Sequence, residues 1–183
     1  DELAELLGRI VEASLDAADP PGSWALSRCH NLAPGEDAAA LAKIDQYLDD
    51  LNAFRDDAHL ASFAAYEISG HGWELFSEIW KGEVNTAAEM AEKTAHRGHD
   101  QAAYAAALDD LAARGWVTVN DDGTARLTAA GSIVRENAEK QTDRYFFRPW
   151  LVLNRAEQEQ LLQLLTAADE QLVQLAEPAP SLP

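Results

Sequence analysis

Apolar residues recur at helical spacing along most of this chain, and only one short stretch alternates as a strand would. Leu3, Leu6, Leu7, Ile10, Val11 and Leu15 predict an amphipathic helix over residues 2–17, and Asp19-Pro20-Pro21-Gly22 ends it. Ser23 opens a short helix that stops before Pro34-Gly35. Leu41, Ile44, Leu48, Leu51 and Phe54 then mark one face of a helix over residues 36–54, whose other face is Asp, Gln and Ala. Asp56-Asp57 begins a further helical stretch, with Leu60, Phe63, Ala64 and Tyr66 apolar. Ser69-Gly70-His71-Gly72 interrupts it, because a glycine costs about 1 kcal/mol in a helix interior. Trp73, Phe76 and Trp80 resume the pattern as a heavily buried helix, ended by Gly82.

From residue 85 onward the local signals are denser. Thr86-Ala87-Ala88-Glu89 is a capping box: the Thr hydroxyl accepts from the Glu backbone N–H while the Glu side chain reaches back. It predicts a short helix through Thr94. Asp100 caps a second helix that runs to Arg114, where Gly115 terminates it. Residues 116–119 and 124–128 read as two short strands around the turn Asn120-Asp121-Asp122-Gly123. Helix, turn, helix and hairpin are the parts of a winged helix-turn-helix. A polar helix over residues 129–147 follows, with Ile133, Val134, Ala138 and Tyr145 as its few apolar anchors. The i,i+4 pairs Glu136–Lys140 and Arg135–Glu139 suit a stalk leaving the domain. Pro149 stops it. Asn154 caps a last helix striped with Leu161, Leu162, Leu164, Leu165, Ala168, Leu172 and Leu175. The expected fold is mainly α, and it divides into an N-terminal helical arm (1–55), a winged helix-turn-helix (56–130), C-terminal dimerisation helices (131–176) and a disordered tail (177–183).

Charge complicates the winged-helix picture. The chain holds 14 basic and 32 acidic residues, a net charge of −18. Within residues 85–130, four are basic (Lys93, Arg97, Arg114, Arg126) and seven acidic, a net of −3. A phosphate backbone is repelled by such a balance at long range, and a membrane surface finds no basic footprint. No apolar run approaches the roughly 18 residues that a membrane span needs. The opening DELAELLGRIVEA is acidic and amphipathic, the reverse of a signal peptide, and a first residue Asp1 suits a trimmed chain. Cys29 is the one cysteine, which excludes an internal disulfide and fits the cytoplasm.

Catalytic signals are absent: there is no glycine-rich phosphate loop and no nucleophile elbow, so neither an enzyme nor a cofactor is expected. Glu67, His71 and Glu74 share a helical face in principle, but the glycines around His71 make it a hydrogen-bonded structural residue and no metal is expected. His59 reads as a surface residue near a cap. Cys29 and His30 are neighbours without an indicated partner acid.

The order of parts over residues 73–175 resembles the MarR-like winged-helix regulators. LDDLAARGWV (108–117), RLTAAG (126–131) and the capped leucine helix from Asn154 carry the resemblance. TDRYFFRPW (142–150), with HLASFAAYEISGHGWE (59–74), is similar to a bacterial branch of winged-helix proteins. The resemblance implies a homodimer joined through terminal helices and a transcriptional regulator that is ligand-responsive. It implies a base-reading surface at Gln101, Ala102, Tyr104 and Ala105, with phosphate contacts from Lys93, His96, Arg97 and Arg126. It also implies a small-molecule effector site in an aromatic crevice, to which Tyr66, His71, Trp73 and Trp150 are assigned. The recognition turn departs from the pattern: it offers only Gln101 and Tyr104 among alanines, where base edges call for Arg, Lys, Asn or Gln. The alternative is an acidic winged helix that has lost DNA contact and serves as a protein- or small-molecule-binding module.

Overall fold

The structure, a computed structural model, describes residues 1–17, 22–35 and 37–176. It is mainly helical, with one antiparallel two-stranded sheet among the described residues. The helices are α1 (Glu2–Leu15), α2 (Trp24–His30), α3 (Ala40–Ala64), α4 (Gly70–Lys81), α5 (Ala87–Lys93), α6 (Gln101–Ala113), α7 (Ala129–Phe147) and α8 (Arg155–Ala176). The strands are β1 (Val117–Val119) and β2 (Ala125–Leu127). The expected stop at Asp19-Pro20-Pro21 and the expected tail at 177–183 lie outside the described residues.

Two compact units emerge, one from Asp1–Ala58 with Arg144–Pro183 and one from His59–Asp143. In the first, Leu7, Ile10 and Val11 of α1 join Leu26, Phe54, Leu153 and Leu161 in a shared core. Helix α2 is short, and α3 secures both its ends. The carboxylate of Asp57 accepts from the backbone N–H groups of Ala25 (2.9 Å) and Leu26 (3.1 Å), and Asp50 meets His30 Nδ1 at 2.6 Å. Seven residues separate the two aspartates, about 10.5 Å along a helix, which matches the length of the seven-residue α2. The two helices therefore run antiparallel, with side-chain carboxylates closing the shorter one.

That arrangement overturns one expectation. A new helix was expected to begin at Asp56-Asp57, yet α3 passes through both without a break. Asp57 is buried as a cap for another helix, so it starts nothing of its own. The break expected at the glycines is real but lies earlier, between Ala64 and Gly70. Ser69 caps α4, its Oγ accepting from Gly72 N at 3.2 Å, so both glycines fall in the first turn. Glu67, at φ 51, carries the reversal. Just beyond α3, the carbonyls of Tyr66 and Glu67 accept from Arg114, at 2.6 and 3.1 Å.

The second unit has its own core, built on Trp73, Leu75, Phe76, Met90, Tyr104, Leu108 and Leu111. Here α7 corrects a second expectation. Read as a polar stalk with few anchors, it buries Arg135, Ala138 and Thr142. The Arg135 guanidinium lies 4.7 Å from the Trp73 ring centroid and 5.0 Å from that of Trp80, while Nη2 donates to Glu139 at 2.7 Å. An arginine between two indoles packs as an apolar plate, which its polar letter conceals. His59 is likewise no surface residue: it is half-buried and its Nε2 accepts from Trp73 Nε1 at 3.1 Å. At Gly131 the backbone of α7 passes so close to β1 that an added Cβ would lie 2.1 Å from the Trp116 carbonyl oxygen.

Candidate nucleic-acid interface

Helix α5 begins where the capping box puts it. Glu89 N–H donates to Thr86 Oγ1 (3.1 Å), and Glu89 Oε2 accepts from Thr86 N (3.2 Å) and Asn85 N (2.8 Å). Those bonds, to Asn85 first and Thr86 after it, hold the exposed Glu89 carboxyl below its usual range. A 3₁₀ turn over Ala95–Arg97 follows, and Gly98 at φ +78 redirects the chain. Asp100 then caps α6 by accepting from Ala103 N at 2.9 Å. Gly115, at φ +73, ends that helix and releases the chain into the wing, where Val117 pairs with Leu127 and Val119 with Ala125.

The expected contact residues divide sharply. Gln101, Ala102 and Ala105 stand exposed on the first turns of α6, as does Arg126 on β2 and His96 in the 3₁₀ turn. Lys93 is exposed but engaged, with its Nζ 2.5 Å from Glu78 and 3.4 Å from Glu83. The bond to Glu78 raises the lysine above its ordinary value. Burial pushes the Glu78 carboxyl up, but bonds from Lys81 and Lys93 outweigh it and leave the carboxyl low. Arg97 is held by Glu74 at 3.0 Å. Tyr104 departs from expectation altogether: it is fully buried, and its hydroxyl lies 2.7 Å from Thr94 Oγ1. In helix α6 its position falls on the core side with Ala107, Leu108 and Leu111, so it anchors the helix and presents no exposed surface.

Beside the exposed face of α6 runs a groove of about 340 Å³, lined by Ala88, Gln101, Ala105, Asp109, Val119 and Asp122, among others. Its charged lining is acidic. Thr124, through its hydroxyl and backbone N–H, holds the Asp122 carboxyl below the ordinary range, so this wing-tip charge persists into mild acid.

The aromatic residues assigned to an effector lie in both units. Tyr66 stacks on Trp73 at 5.7 Å, and Trp73 stacks in turn on Phe63 at 4.8 Å, leaving it 2% exposed. His71 stacks on His99 at 4.6 Å. Trp150 belongs to the first unit, where it packs against Phe146 and Phe147. Among the described residues, no group of three or more His, Cys, Asp or Glu is placed to hold a metal ion. Asp50 is the partner acid that adjacency in sequence could not indicate for His30. Burial first, and Asp50 second, push the Cys29 thiol up, away from the thiolate that a nucleophile needs.

Thr94, His99 and Arg114 position this surface, and sequence reasoning did not single them out for that. Arg114 ends a helix like many others, and its bonds to Tyr66 and Glu67 reach back 48 and 47 residues.

A family model described as a helix-turn-helix family matches residues 1–177. No curated protein and no solved structure matches the chain.

Proposed function

Because this chain belongs to that helix-turn-helix family, we propose that it is a MarR-like winged-helix regulator that contacts DNA through α6 and the wing. One observation carries the reading: Gln101, Ala102 and Ala105 form an exposed face on the first turns of a doubly anchored helix, and Arg126 stands exposed on the hairpin that follows. Asp100 closes the N-terminus of that helix and Tyr104 ties its first turns to α5, so the face is rigid. The reading implies a cytoplasmic homodimer that an effector modulates. Leu162, Leu172 and Val173, all more than half exposed on α8, supply apolar surface for a second copy to cover. Among the described residues, no helix is long and apolar enough to cross a membrane.

A second reading has its own support. Lys93 and Arg97 are tied to Glu78 and Glu74, and the groove beside Gln101 is lined by Asp109 and Asp122. These features suit an acidic module that has given up DNA for a protein or small molecule.

Fluorescence anisotropy against genomic DNA fragments, at low and at physiological salt, separates the two. The regulator reading expects binding at low salt that weakens steeply as salt rises. No binding at low salt sinks it and leaves the second reading.

A further inference from the structure

The first two turns of α6 present few and small side chains to the outside. Gln101, Ala102, Ala105 and Ala106 are exposed there, while Tyr104 and Ala107 are buried. Three of those four exposed side chains are single methyl groups, so nothing bulky holds the helix away from a surface against which it docks. Gln101 alone among them can hydrogen-bond, and its side-chain amide has no partner among the described residues. The Asp100 cap fixes Gln101 as the first residue of the helix. Neither Lys nor Arg occurs anywhere in α6.

Base edges in the major groove discriminate among such side chains. Adenine offers N7 as an acceptor and its N6 amino group as a donor, and thymine carries a C5 methyl. A Gln amide matches adenine with two bonds: its nitrogen donates to N7 and its oxygen accepts from N6. Guanine sets an acceptor, O6, where the Gln oxygen points, so one of the two bonds is lost. The side chain that suits guanine is arginine, and these turns have none. Alanine finds no polar partner on a base edge, but its methyl packs against the thymine methyl. Such a contact needs close approach, which small side chains allow. Asp109, exposed further along α6, lies about 12 Å beyond Gln101. Base contacts concentrate at the N-terminal end of a reading helix, clear of that carboxylate. Acidity elsewhere weakens the hold on every duplex alike, because phosphates carry no sequence.

We propose that α6 reads A·T base pairs. Gln101 pairs with an adenine through N6 and N7, and Ala102 and Ala105 pack against the methyl groups of neighbouring thymines. This assignment rests on the regulator reading, in which DNA is the partner of this face, and adds the class of base that the face selects.

Duplexes with a randomised core, selected on the full chain at low salt and sequenced, supply the probe. A·T pairs should be enriched. Minor-groove shape also favours A·T tracts, and uracil separates the two causes, because it removes the major-groove methyl and leaves the minor-groove edge intact. Replacing the thymines of an enriched duplex one at a time by uracil should weaken binding about fourfold at one position or more, the worth of a buried methyl. Gln101→Ala should cost about tenfold on that duplex and lose the preference for adenine at one position. Repeating the selection with Gln101→Arg should move that position from adenine to guanine. Thermal melts matching the wild type show that both variants fold. Enrichment of G·C pairs overturns the assignment, as does DNA binding that enriches no sequence. Uracil duplexes that bind as tightly as their thymine parents, or a Gln101→Arg selection identical to that of the wild type, overturn it too. Each of these outcomes leaves DNA as the partner, whereas no binding at low salt overturns the assignment and the regulator reading together.

Discussion

The hydroxyl of Tyr104 lies 2.7 Å from that of Thr94, and both side chains are buried beneath the turn that joins α5 to α6. Thr94 has a single proton and lies 2.7 Å from the Met90 carbonyl, so Tyr104 is the donor of the pair. Tyr104→Phe removes that donation without opening a cavity. It should cost about 1 kcal/mol in urea unfolding and leave any DNA affinity at low salt within twofold. A large loss of affinity with little loss of stability would mean that Tyr104 faces the nucleic acid after all.

Arg126 behaves oppositely. It is exposed on β2 with Thr118 across the strand pair, so Arg126→Glu should leave the unfolding midpoint unchanged. If the wing touches phosphate, the substitution weakens DNA binding about tenfold at low salt and flattens the salt dependence. Unaltered anisotropy curves would remove the wing from the interface.

Gly131 tests the contact between α7 and β1. A methyl group there would lie 2.1 Å from the Trp116 carbonyl oxygen, and a backbone atom cannot swing aside. Gly131→Ala should destabilise the protein by about 2 kcal/mol or more. Gly70→Ala, where an added Cβ meets nothing within 4 Å, should be neutral or mildly stabilising. Thermal melts of the two variants read the contrast directly.

Arg135 combines favourable ring contacts with an unfavourable burial. Its Nε and Nη1 are buried without a partner among the described residues, even as the guanidinium sits between Trp73 and Trp80. Arg135→Met keeps most of the volume and removes the unpaired donors, so it should be neutral or stabilising. Arg135→Ala leaves the space between the indoles empty and should cost about 2–4 kcal/mol in denaturant titrations. Equal losses in both variants would argue that the charge itself holds α7 in place.

Glu157 links α8 to α1. Its carboxyl is held below the ordinary range by Arg9 first and the Asn154 backbone N–H second. A folded value below the unfolded one, about 4.3, means that the stability is present above that pH and lost as pH falls through the folded value. Glu157→Gln should therefore be less stable than the wild type at neutral pH, and the difference should shrink below about pH 4. A gap that persists unchanged into strong acid would assign the effect to the amide's own contacts.

Local punctuation was the readable part of this chain. The Thr86–Glu89 capping box, the Asp100 cap, the Gly115 terminator and the 120–123 turn each act within a few residues, so α5, α6 and the hairpin follow from neighbouring letters. The helix-turn-helix parts were legible for that reason, and α7 matched its expected span.

Tertiary structure decided which polar residues are structural and which of the exposed letters are free. Asp57 reads as a helix start and is a cap for residues 32 and 31 positions away. Arg135 reads as a solvated charge and is a packed plate between indoles; Tyr104 reads as a base contact and is core. Lys93 and Arg97 read as phosphate contacts and are paired with acids on α4. The physical reason is common to all five: burial and pairing are set by other segments of the chain, whereas periodicity and capping report only on a residue's own turn of backbone.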